Sequence, residues 1–298
     1  FALRFDGRRL VSGPPRTGTR IEVRGLGKQV ADRATGRPLH LLKDVGLTIL
    51  PKEFVGLLGA SGCGKSTFMD TVNGRRPATE GQVLYDGENL YNHFDRFKRG
   101  IGYVPQELIF HDALPVADVL RYASRLRLPD DTGKDEIERN IDRVLGVVGL
   151  TAQRETLVKH LSGGQKKRVS IAMELLSEPT VLFLDEATSG LDLGTEAQMM
   201  RLFRELADGG VTTLCITHYV DSLDVCDMVA YFVKGRLAFF GPPKELKAYF
   251  GVSAIREVYL KEQEKTPEAW EAAFRESKAY RTYVAERASP PAPEDATR

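Results

Sequence analysis

A glycine-rich segment that ends in Lys-Ser-Thr is the strongest chemical signal in this sequence. Residues 59–67 read Gly-Ala-Ser-Gly-Cys-Gly-Lys-Ser-Thr and fit the phosphate-binding pattern G-x-x-x-x-G-K-[ST]. The glycines let backbone N–H groups approach a polyphosphate, and a helix that follows points its positive N-terminus at the same anion. We expect Lys65 to reach the terminal phosphates, Ser66 to bind Mg²⁺ and Thr67 to donate to the phosphates. The predicted nucleoside triphosphate contacts are Gly59, Ser61, Gly62, Cys63, Gly64, Lys65, Ser66 and Thr67.

Two adjacent acids end a run of four apolar residues elsewhere in the chain. Residues 181–184 have the pattern of a buried strand, and Asp185 and Glu186 follow directly. A strand that stops in carboxylates places them at the carboxyl edge of a sheet, where such folds bind ligands. We expect Asp185 to hold Mg²⁺ and Glu186 to polarise an attacking water. The alternative is that both acids only cap a turn.

A serine followed by two glycines forms a second candidate anion site. Ser162 is a good N-cap for the helix expected over 166–176, and Gly163 and Gly164 expose backbone N–H groups. This helix N-terminus is therefore suited to an anion. Because the chain already has one triphosphate site, the second half-site indicates a nucleotide held by another copy.

Composition limits the class of protein. The chain has 298 residues and a net charge of +1, so its overall charge gives no support for binding to nucleic acid. No apolar run approaches the roughly 18 residues of a membrane-spanning helix. The cysteines Cys63, Cys215 and Cys226 are scattered, which favours a reducing compartment over a disulfide framework. Since the chain begins with Phe1, we expect a fragment of a longer protein.

The apolar pattern divides the chain into elements that position these residues. Strands are predicted at 20–24, 47–50, 54–58, 82–87 and 101–104, and a helical insertion over about 116–160. Beyond Pro179, strands at 181–184 and 211–216 alternate with a helix at 193–208, which predicts a parallel sheet. Residues 229–233 and 237–240 could form an edge hairpin. Residues 1–19 have little periodicity and are interpreted as a linker.

The last 45 or so residues have a different pattern, charged and helical. They carry an aromatic stripe that we expect to pack on the host domain rather than to bind a ligand. The Pro-rich run at 290–293 is interpreted as a linker or tail. The stripe consists of Trp270, Phe274, Tyr280 and Tyr283.

The motifs together resemble those of the ATP-binding cassette (ABC) family over roughly residues 20–252. Gln106 is similar to the family's lid glutamine, Asp192 to the acid of its D-loop and His218 to its switch histidine. The resemblance implies an α/β fold: a P-loop NTPase core with a mainly parallel sheet, an N-terminal antiparallel β subdomain, and a helical subdomain at about 107–178.

The resemblance also implies a role for each residue. Glu186 is the implied general base, His218 contacts the γ-phosphate, and Gln106 contacts Mg²⁺ or water and signals to a membrane partner. ATP and Mg²⁺ are the implied cofactors, with Ser66, Gln106 and Asp185 around the metal. Two copies pair head to tail, so that each ATP lies between the phosphate loop of one copy and a set of residues on the other. That set is Ser162, Gly163, Gly164, Gln165 and Asp192.

Within the family, the sequence is similar to the white (G) subfamily of exporters. The similarity rests on residues 103–107, 110–114, 161–168 and 186–192. The switch sequence Thr217-His218-Tyr219 favours a bacterial type. In that subfamily a membrane domain follows the cassette in the same chain. This implies that residues 253–298 are a connector and that the cassette works at the cytoplasmic face of the cell membrane.

Two features of the nucleotide site lead to further expectations. The family usually stacks adenine on an aromatic residue before the phosphate loop, but no Tyr, Phe or Trp lies between Arg20 and Phe54. Val30 or His40 is the nearest candidate for that contact. Cys63 precedes the expected helix, so we expect a lowered thiol pKa and labelling that ATP blocks.

Three functions are compatible with an ABC cassette. The first is an ATPase that drives transport across a membrane. The second is a soluble ABC ATPase that clamps nucleic acid or a ribosome. It calls for a basic face or a long coiled coil, which a net charge of +1 and a short helical insertion do not supply. A regulatory module without turnover is disfavoured because Lys65, Asp185, Glu186 and His218 are all present.

Overall fold

The computed structural model describes residues 2–5, 10–13, 18–32, 35–107 and 111–288. Phe110 and the Pro-rich tail, to which expectations above refer, lie outside these ranges. The strands are β1 (Ala2–Phe5), β2 (Leu10–Gly13), β3 (Ile21–Ala31), β4 (Pro38–Ile49), β5 (Phe54–Leu58), β6 (Glu80–Tyr85), β7 (Glu88–Asn89), β8 (Ile101–Val104), β9 (Val181–Asp185), β10 (Thr212–Ile216), β11 (Met228–Val233) and β12 (Arg236–Gly241). The principal helices are α1 (Lys65–Val72), α2 (Phe94–Phe97), α3 (Val116–Arg127), α4 (Lys134–Val148), α5 (Gly163–Leu175), α6 (Leu193–Asp208), α7 (Pro243–Phe250), α8 (Val258–Lys261) and α9 (Pro267–Glu276).

A six-stranded sheet carries the phosphate loop and the acids. Its order is β12-β11-β5-β10-β9-β8, with β12 antiparallel to β11 and the other neighbours parallel. Every residue of β5 and β10 is buried, as is usual for strands inside a parallel sheet. The mainly parallel sheet and the edge hairpin are thus confirmed. The segments that follow β5, β8, β9 and β10 leave the same edge, which brings the predicted site residues together.

A second sheet is antiparallel and has the order β4-β3-β6-β7. Its first two strands are longer than the sequence pattern indicated, since β3 runs to Ala31 and β4 begins at Pro38. The extra length forms a ribbon with several register shifts, so it shows no regular apolar alternation. This sheet is the expected antiparallel β subdomain.

Helices α3, α4 and α5 form the predicted helical subdomain. Val116, Leu120, Val144 and Leu145 are fully buried, which confirms the helical spacing. The guanidinium of Arg127 in α3 donates to both carboxylate oxygens of one glutamate in α5, Glu174. That carboxylate also accepts the Tyr103 backbone N–H in β8 at 3.1 Å. The helical subdomain is therefore tied to the strand that leads to Gln106.

The N-terminal segment contains regular structure that the sequence pattern did not indicate. Strands β1 and β2 pair antiparallel inside residues 1–19. Strands of four residues are too short to produce a clear alternation, so the sequence pattern did not indicate them. A linking role for residues 1–19 stays a prediction.

The C-terminal segment folds back onto the core, as expected for its aromatic stripe. Trp270 and Phe274 are buried, and their rings lie 4.8 Å from Phe250 and 6.0 Å from Phe239. At the far end, the Arg287 guanidinium lies 2.8 Å from a carboxylate oxygen of Glu53. Packing of the stripe on the host domain is confirmed. The connector role of residues 253–298 stays a prediction.

Candidate functional site

The phosphate loop joins β5 to α1 at the centre of the parallel sheet. Gly59, Gly62 and Gly64 all have positive φ, and a Cβ at Gly59 would lie 2.3 Å from the Phe232 carbonyl oxygen. Only glycine fits such a position without strain. Helix α1 begins at Lys65, inside the phosphate-binding pattern itself. The N-terminus of α1 therefore faces the loop, as phosphate binding requires.

The loop lysine is held inside the loop by backbone carbonyls. Lys65 is 5% exposed, and its ammonium donates to the carbonyl oxygens of Gly59 at 2.7 Å and Ala60 at 3.0 Å. Ser61, Gly62 and Ser66 are exposed, and Thr67 is half-buried. The loop thus offers its backbone and hydroxyls to solvent around a single buried cation, an arrangement suited to a polyphosphate.

The expected lowering of the Cys63 thiol pKa is wrong. Its thiol is buried next to the Lys65 ammonium at 3.8 Å. Burial raises the pKa of the thiol, and the neighbouring positive charge only partly offsets this effect. Cys63 is therefore a protonated packing residue at neutral pH rather than a reactive thiolate.

The Ser66 hydroxyl and the Asp185 carboxylate, the two oxygen ligands expected for Mg²⁺, lie next to each other. The Ser66 hydroxyl donates to Asp185 Oδ1 at 3.5 Å, and the Tyr103 hydroxyl donates to Asp185 Oδ2 at 3.1 Å. Hard oxygen ligands in this pattern suit Mg²⁺, which takes one or two protein ligands and completes its shell with water and phosphate. No cluster of three His, Cys, Asp or Glu side chains that could hold a metal lies within the described ranges. A Mg²⁺ site that is completed by water and phosphate does not need such a cluster. Burial raises the pKa of the Asp185 carboxyl.

The three predicted catalytic residues lie together. Gln106 Nε2 donates to Glu186 Oε2 at 2.8 Å, and His218 Nε2 lies 3.0 Å from Glu186 Oε1. Because an ionised carboxylate can only accept, His218 donates from Nε2 in this arrangement. The structure brings these residues together from positions 32 and 80 apart in the chain. The Gln106 side-chain amide thus donates to Glu186 in this structure.

Glu186 has an unusual backbone that a neighbouring lysine supports. Its φ is +50°, which is strained for a residue other than glycine. The buried Lys167 ammonium donates to the carbonyl oxygens of Glu186 at 3.3 Å and Ser189 at 2.5 Å. Burial lowers the pKa of Lys167. Sequence analysis missed Lys167, because it belongs to a basic run, residues 166–168, whose members have the pattern of a solvated helix face.

The second glycine site is the capped N-terminus of α5. Ser162 Oγ accepts from the Gln165 backbone N–H at 3.2 Å, and Gln165 Oε1 accepts from the Ser162 N–H at 2.9 Å. The N-cap prediction for Ser162 is confirmed. Ser162 and Gly163 are exposed, while Gly164 packs so closely that a Cβ there would lie 2.8 Å from Thr195. The surface of this helix end thus consists of a hydroxyl and bare backbone.

Asp192 lies at the N-terminus of α6, beside the capped end of α5. Its carboxylate accepts from the Thr195 backbone N–H at 3.0 Å and from the Thr195 hydroxyl. These bonds lower the pKa of Asp192. Among the described residues, neither Asp192 nor the 162–165 end has a side-chain hydrogen bond to residues 59–67 of the same chain.

The ribbon beside the phosphate loop carries an apolar residue that sequence analysis missed. Leu39 is 43% exposed and lies directly opposite Val30, so both side chains share one face. Two residues further on, the Leu41 carbonyl oxygen lies 3.0 Å from a Cβ built on Gly64. His40 is exposed and pairs with Gln29. The signal that could have found Leu39 is the alternation Leu39-His40-Leu41, which has the period of a strand.

A phosphate loop after the central parallel strand β5, with an acid pair at the end of β9, one strand removed in the same sheet, defines a P-loop NTPase. The sequence profile described as "ABC transporter" matches residues 42–189. The cbiO1 subunit of a Clostridium perfringens ABC transporter has a solved structure with a TM-score of 0.68 and 30% identity, over 85% of this chain and 97% of that one. The chain belongs to the ABC transporter family as an ATP-binding domain, and the domains of this family hydrolyse ATP.

Two curated relatives are much longer than this chain. The "ABC transporter ATP-binding/permease protein Rv1747" of Mycobacterium tuberculosis is 40% identical over 240 residues, which are 80% of this chain and 27% of that protein. The "ABC transporter G family member 28" of Arabidopsis thaliana is 33% identical over 238 residues, 76% of this chain and 21% of that protein. The chain therefore spans about a quarter of the length of these relatives. Within the described ranges, no helix is long and apolar enough to cross a bilayer.

Proposed function

We propose that Glu186 is the general base of ATP hydrolysis and that Gln106 and His218 orient it. The observation that carries this proposal is the pair of hydrogen bonds at 2.8 and 3.0 Å, which leave the carboxylate fixed at the carboxyl edge of the sheet. A carboxylate held by two donors can accept a proton from a water at this edge. His218 would contact the γ-phosphate, and Gln106 would report the state of the site.

Ser66 and Asp185 are the residues we assign to Mg²⁺, with Gln106 as a further contact. When bound, Mg²⁺ neutralises charge on the phosphates. The 3.5 Å separation of the Ser66 hydroxyl and Asp185 Oδ1 supports a shared metal. The Tyr103 hydroxyl holds the second Asp185 oxygen and so fixes the direction of the first.

Two copies would pair head to tail to complete each site. Each ATP would lie between the phosphate loop of one copy and a set on the other copy, namely Ser162, Gly163, Gly164, Gln165 and Asp192. The exposed and capped N-terminus of α5 supports this pairing, because its backbone donors have no side-chain partner in the phosphate loop of the same chain. ATP binding would close the pair, and hydrolysis would let it open.

The closure would drive transport through a membrane domain. The name of the mycobacterial relative joins an ATP-binding part with a permease, and the plant relative is named as a G family member of the ABC transporters. By this likeness a membrane domain would follow residues 253–298 in the full-length chain, and the cassette would work at the cytoplasmic face of the cell membrane as part of a G-type exporter. Both relatives are named as transporters, which favours this function over a clamp on nucleic acid.

Adenine would pack against Leu39 and Val30 rather than on an aromatic ring. Both side chains lie on one face of the ribbon that runs past Gly64. A half-exposed leucine gains free energy when a flat base covers it, although an aliphatic surface offers no ring stacking.

Sedimentation of the Glu186→Gln variant tests the proposed catalytic cycle. Glutamine keeps the shape of the side chain but cannot act as the base, so the variant should bind Mg·ATP and accumulate as a dimer. Adding Ser162→Arg should abolish the dimer, because it places a bulky cation at the shared surface. Ser253→Arg, an equal change at an exposed site in the C-terminal segment, is the matched control.

The result separates the parts of the proposal. An ATP-dependent dimer that survives Ser162→Arg would refute the role of the α5 N-terminus. If Glu186→Gln hydrolyses ATP as fast as the parent chain, the role of Glu186 as base is wrong. A monomer at saturating Mg·ATP in the full-length chain would refute the head-to-tail pair.

A further inference from the structure

Three side-chain hydrogen bonds connect two loops at the edge of the sheet. We call residues 217–222, which contain His218, the switch loop, and residues 188–196, which contain Asp192, the turn segment. The Tyr219 hydroxyl donates to the Leu191 carbonyl oxygen at 2.9 Å. The Thr188 and Thr217 hydroxyls lie 3.5 Å apart, and Ser222 Oγ donates to Glu196 Oε2 at 2.6 Å. The bonds flank His218 on both sides.

Three of the side chains that form this connection are almost completely buried. Thr188, Thr217 and Glu196 are each 1% exposed. Within the described part of the chain, the other carboxyl oxygen of Glu196 has no hydrogen-bond partner, so Ser222 is the side chain that satisfies this buried group. An unsatisfied buried polar group is costly, so the switch loop cannot separate from the turn segment without a penalty.

The connection completes a path between two functional positions. At one end, His218 contacts Glu186 at 3.0 Å. At the other end, Leu191 precedes Asp192, whose carboxylate caps α6 at the surface assigned to the opposite nucleotide site. Tyr219 directly follows His218 in the sequence, and its hydroxyl donates to Leu191, the residue before Asp192. A contiguous set of contacts therefore connects His218 with Asp192.

We propose that Tyr219 is a positioning residue that makes the switch loop and the turn segment move as one unit, with Ser222 and Glu196 as a second attachment. In the head-to-tail dimer, the unit would couple the state of one nucleotide site to the other. This inference rests on the proposed function and extends it to residues outside the catalytic set. Tyr219 touches neither substrate nor metal in this role.

Hydrogen–deuterium exchange tests the coupling in the full-length chain carrying Glu186→Gln. Mg·ATP should protect the phosphate loop, the turn segment and the switch loop together. With Tyr219→Phe, protection of the phosphate loop and turn segment should persist, while protection of the switch loop should fall about three- to tenfold, the effect of one hydrogen bond. Ser222→Ala should act in the same direction, and the two changes together should exceed either.

A matched variant separates coupling from general loosening. Tyr249→Phe removes a buried hydroxyl that has no hydrogen-bond partner among the described residues, and it should leave all three segments unchanged. In the chain with Glu186 intact, Tyr219→Phe should lower kcat several-fold without changing KM for ATP, because it leaves the phosphate contacts in place. A folding defect would instead raise exchange throughout the sheet.

The outcomes are distinguishable. Absence of ATP protection at residues 59–67 would overturn the proposed function and this inference with it. Protection of those residues, with equal protection of the switch loop in the parent and in the Tyr219→Phe and Ser222→Ala variants, would overturn the inference alone. So would a parent chain in which neither loop responds to Mg·ATP.

Discussion

Replacing Lys167 with methionine removes the donor that holds the turn after the catalytic acids. The Lys167 ammonium donates to the Glu186 carbonyl oxygen at 3.3 Å and to the Ser189 carbonyl oxygen at 2.5 Å, and its side chain is 8% exposed. Methionine fills a similar volume without a charge, so the core packing of α5 is retained. The change therefore acts mainly on the turn at Glu186.

The magnitude follows from the bonds and from the backbone they support. Hydrogen bonds to a charged group contribute roughly 1.5–3 kcal/mol. The left-handed backbone at Glu186, with φ of +50°, costs about 1–3 kcal/mol and persists only while its surroundings hold it. Since burial lowers the pKa of Lys167, part of the gain is already offset, and we take about 1.5–2 kcal/mol as the net loss. This loss lowers the equilibrium constant between correctly placed and displaced Glu186 by about ten- to thirtyfold.

Steady-state phosphate release by the full-length chain and equilibrium unfolding measure the two consequences. We expect kcat to fall by up to about ten- to thirtyfold with little change in KM for ATP, because the phosphate loop is untouched. The melting temperature should fall by roughly 3–8 °C. Lys166→Met is the matched control. It removes the neighbouring lysine, which forms an exposed pair with Asp112 at 3.5 Å, and such a pair contributes about 0–1 kcal/mol.

Equal losses of kcat in the Lys166→Met and Lys167→Met variants would refute this reasoning. So would a Lys167→Met variant with the turnover of the parent chain, since Glu186 would then hold its position without the ammonium. A large rise in KM for ATP would show that Lys167 acts on nucleotide binding instead.

Three further perturbations test other parts of the structure. Cys63 in the native chain should react with a thiol reagent at pH 7 at least about tenfold more slowly than in urea, because burial raises its pKa, and equal rates would contradict this. Arg287→Met should cost about 2–4 kcal/mol in urea unfolding at pH 7 and less at pH 4. Burial already raises the pKa of Glu53, so stability falls as pH rises through that pKa, and loss of the Arg287 cation raises the Glu53 pKa further. A cost of Arg287→Met that does not change with pH would contradict this role of the ion pair. Leu39→Ala should weaken ATP binding about three- to tenfold in calorimetry while leaving inorganic triphosphate binding unchanged, and parallel losses would place Leu39 in the phosphate site.

The chemistry of the nucleotide site could be predicted because it depends on local sequence. The glycine spacing at residues 59–67 and the two acids after 181–184 each contain their own structural context, a strand before and a turn or helix after. Their physical requirements are backbone conformation and helix polarity, which a short segment determines by itself. Ser162 could be predicted as an N-cap for the same reason.

Tertiary structure alone brought the catalytic group together. Gln106, Glu186 and His218 meet because β8, β9 and β10 are parallel neighbours, and strand order is a long-range property that no local pattern carries. The connection of Tyr219 to Leu191 is hidden for the same reason, since its acceptor is a backbone carbonyl that any residue type provides.

The environment of single side chains also depended on the fold. For Cys63 the helix N-terminus predicted a low thiol pKa, but burial had the larger effect and reversed the direction. Lys167 has the sequence pattern of a surface residue, yet its ammonium supports the turn at Glu186. The sequence by itself determined which groups are available and the local backbone that presents them. Only the tertiary structure decided which groups face each other and how much water reaches them, because distance and desolvation arise from segments far apart in the chain.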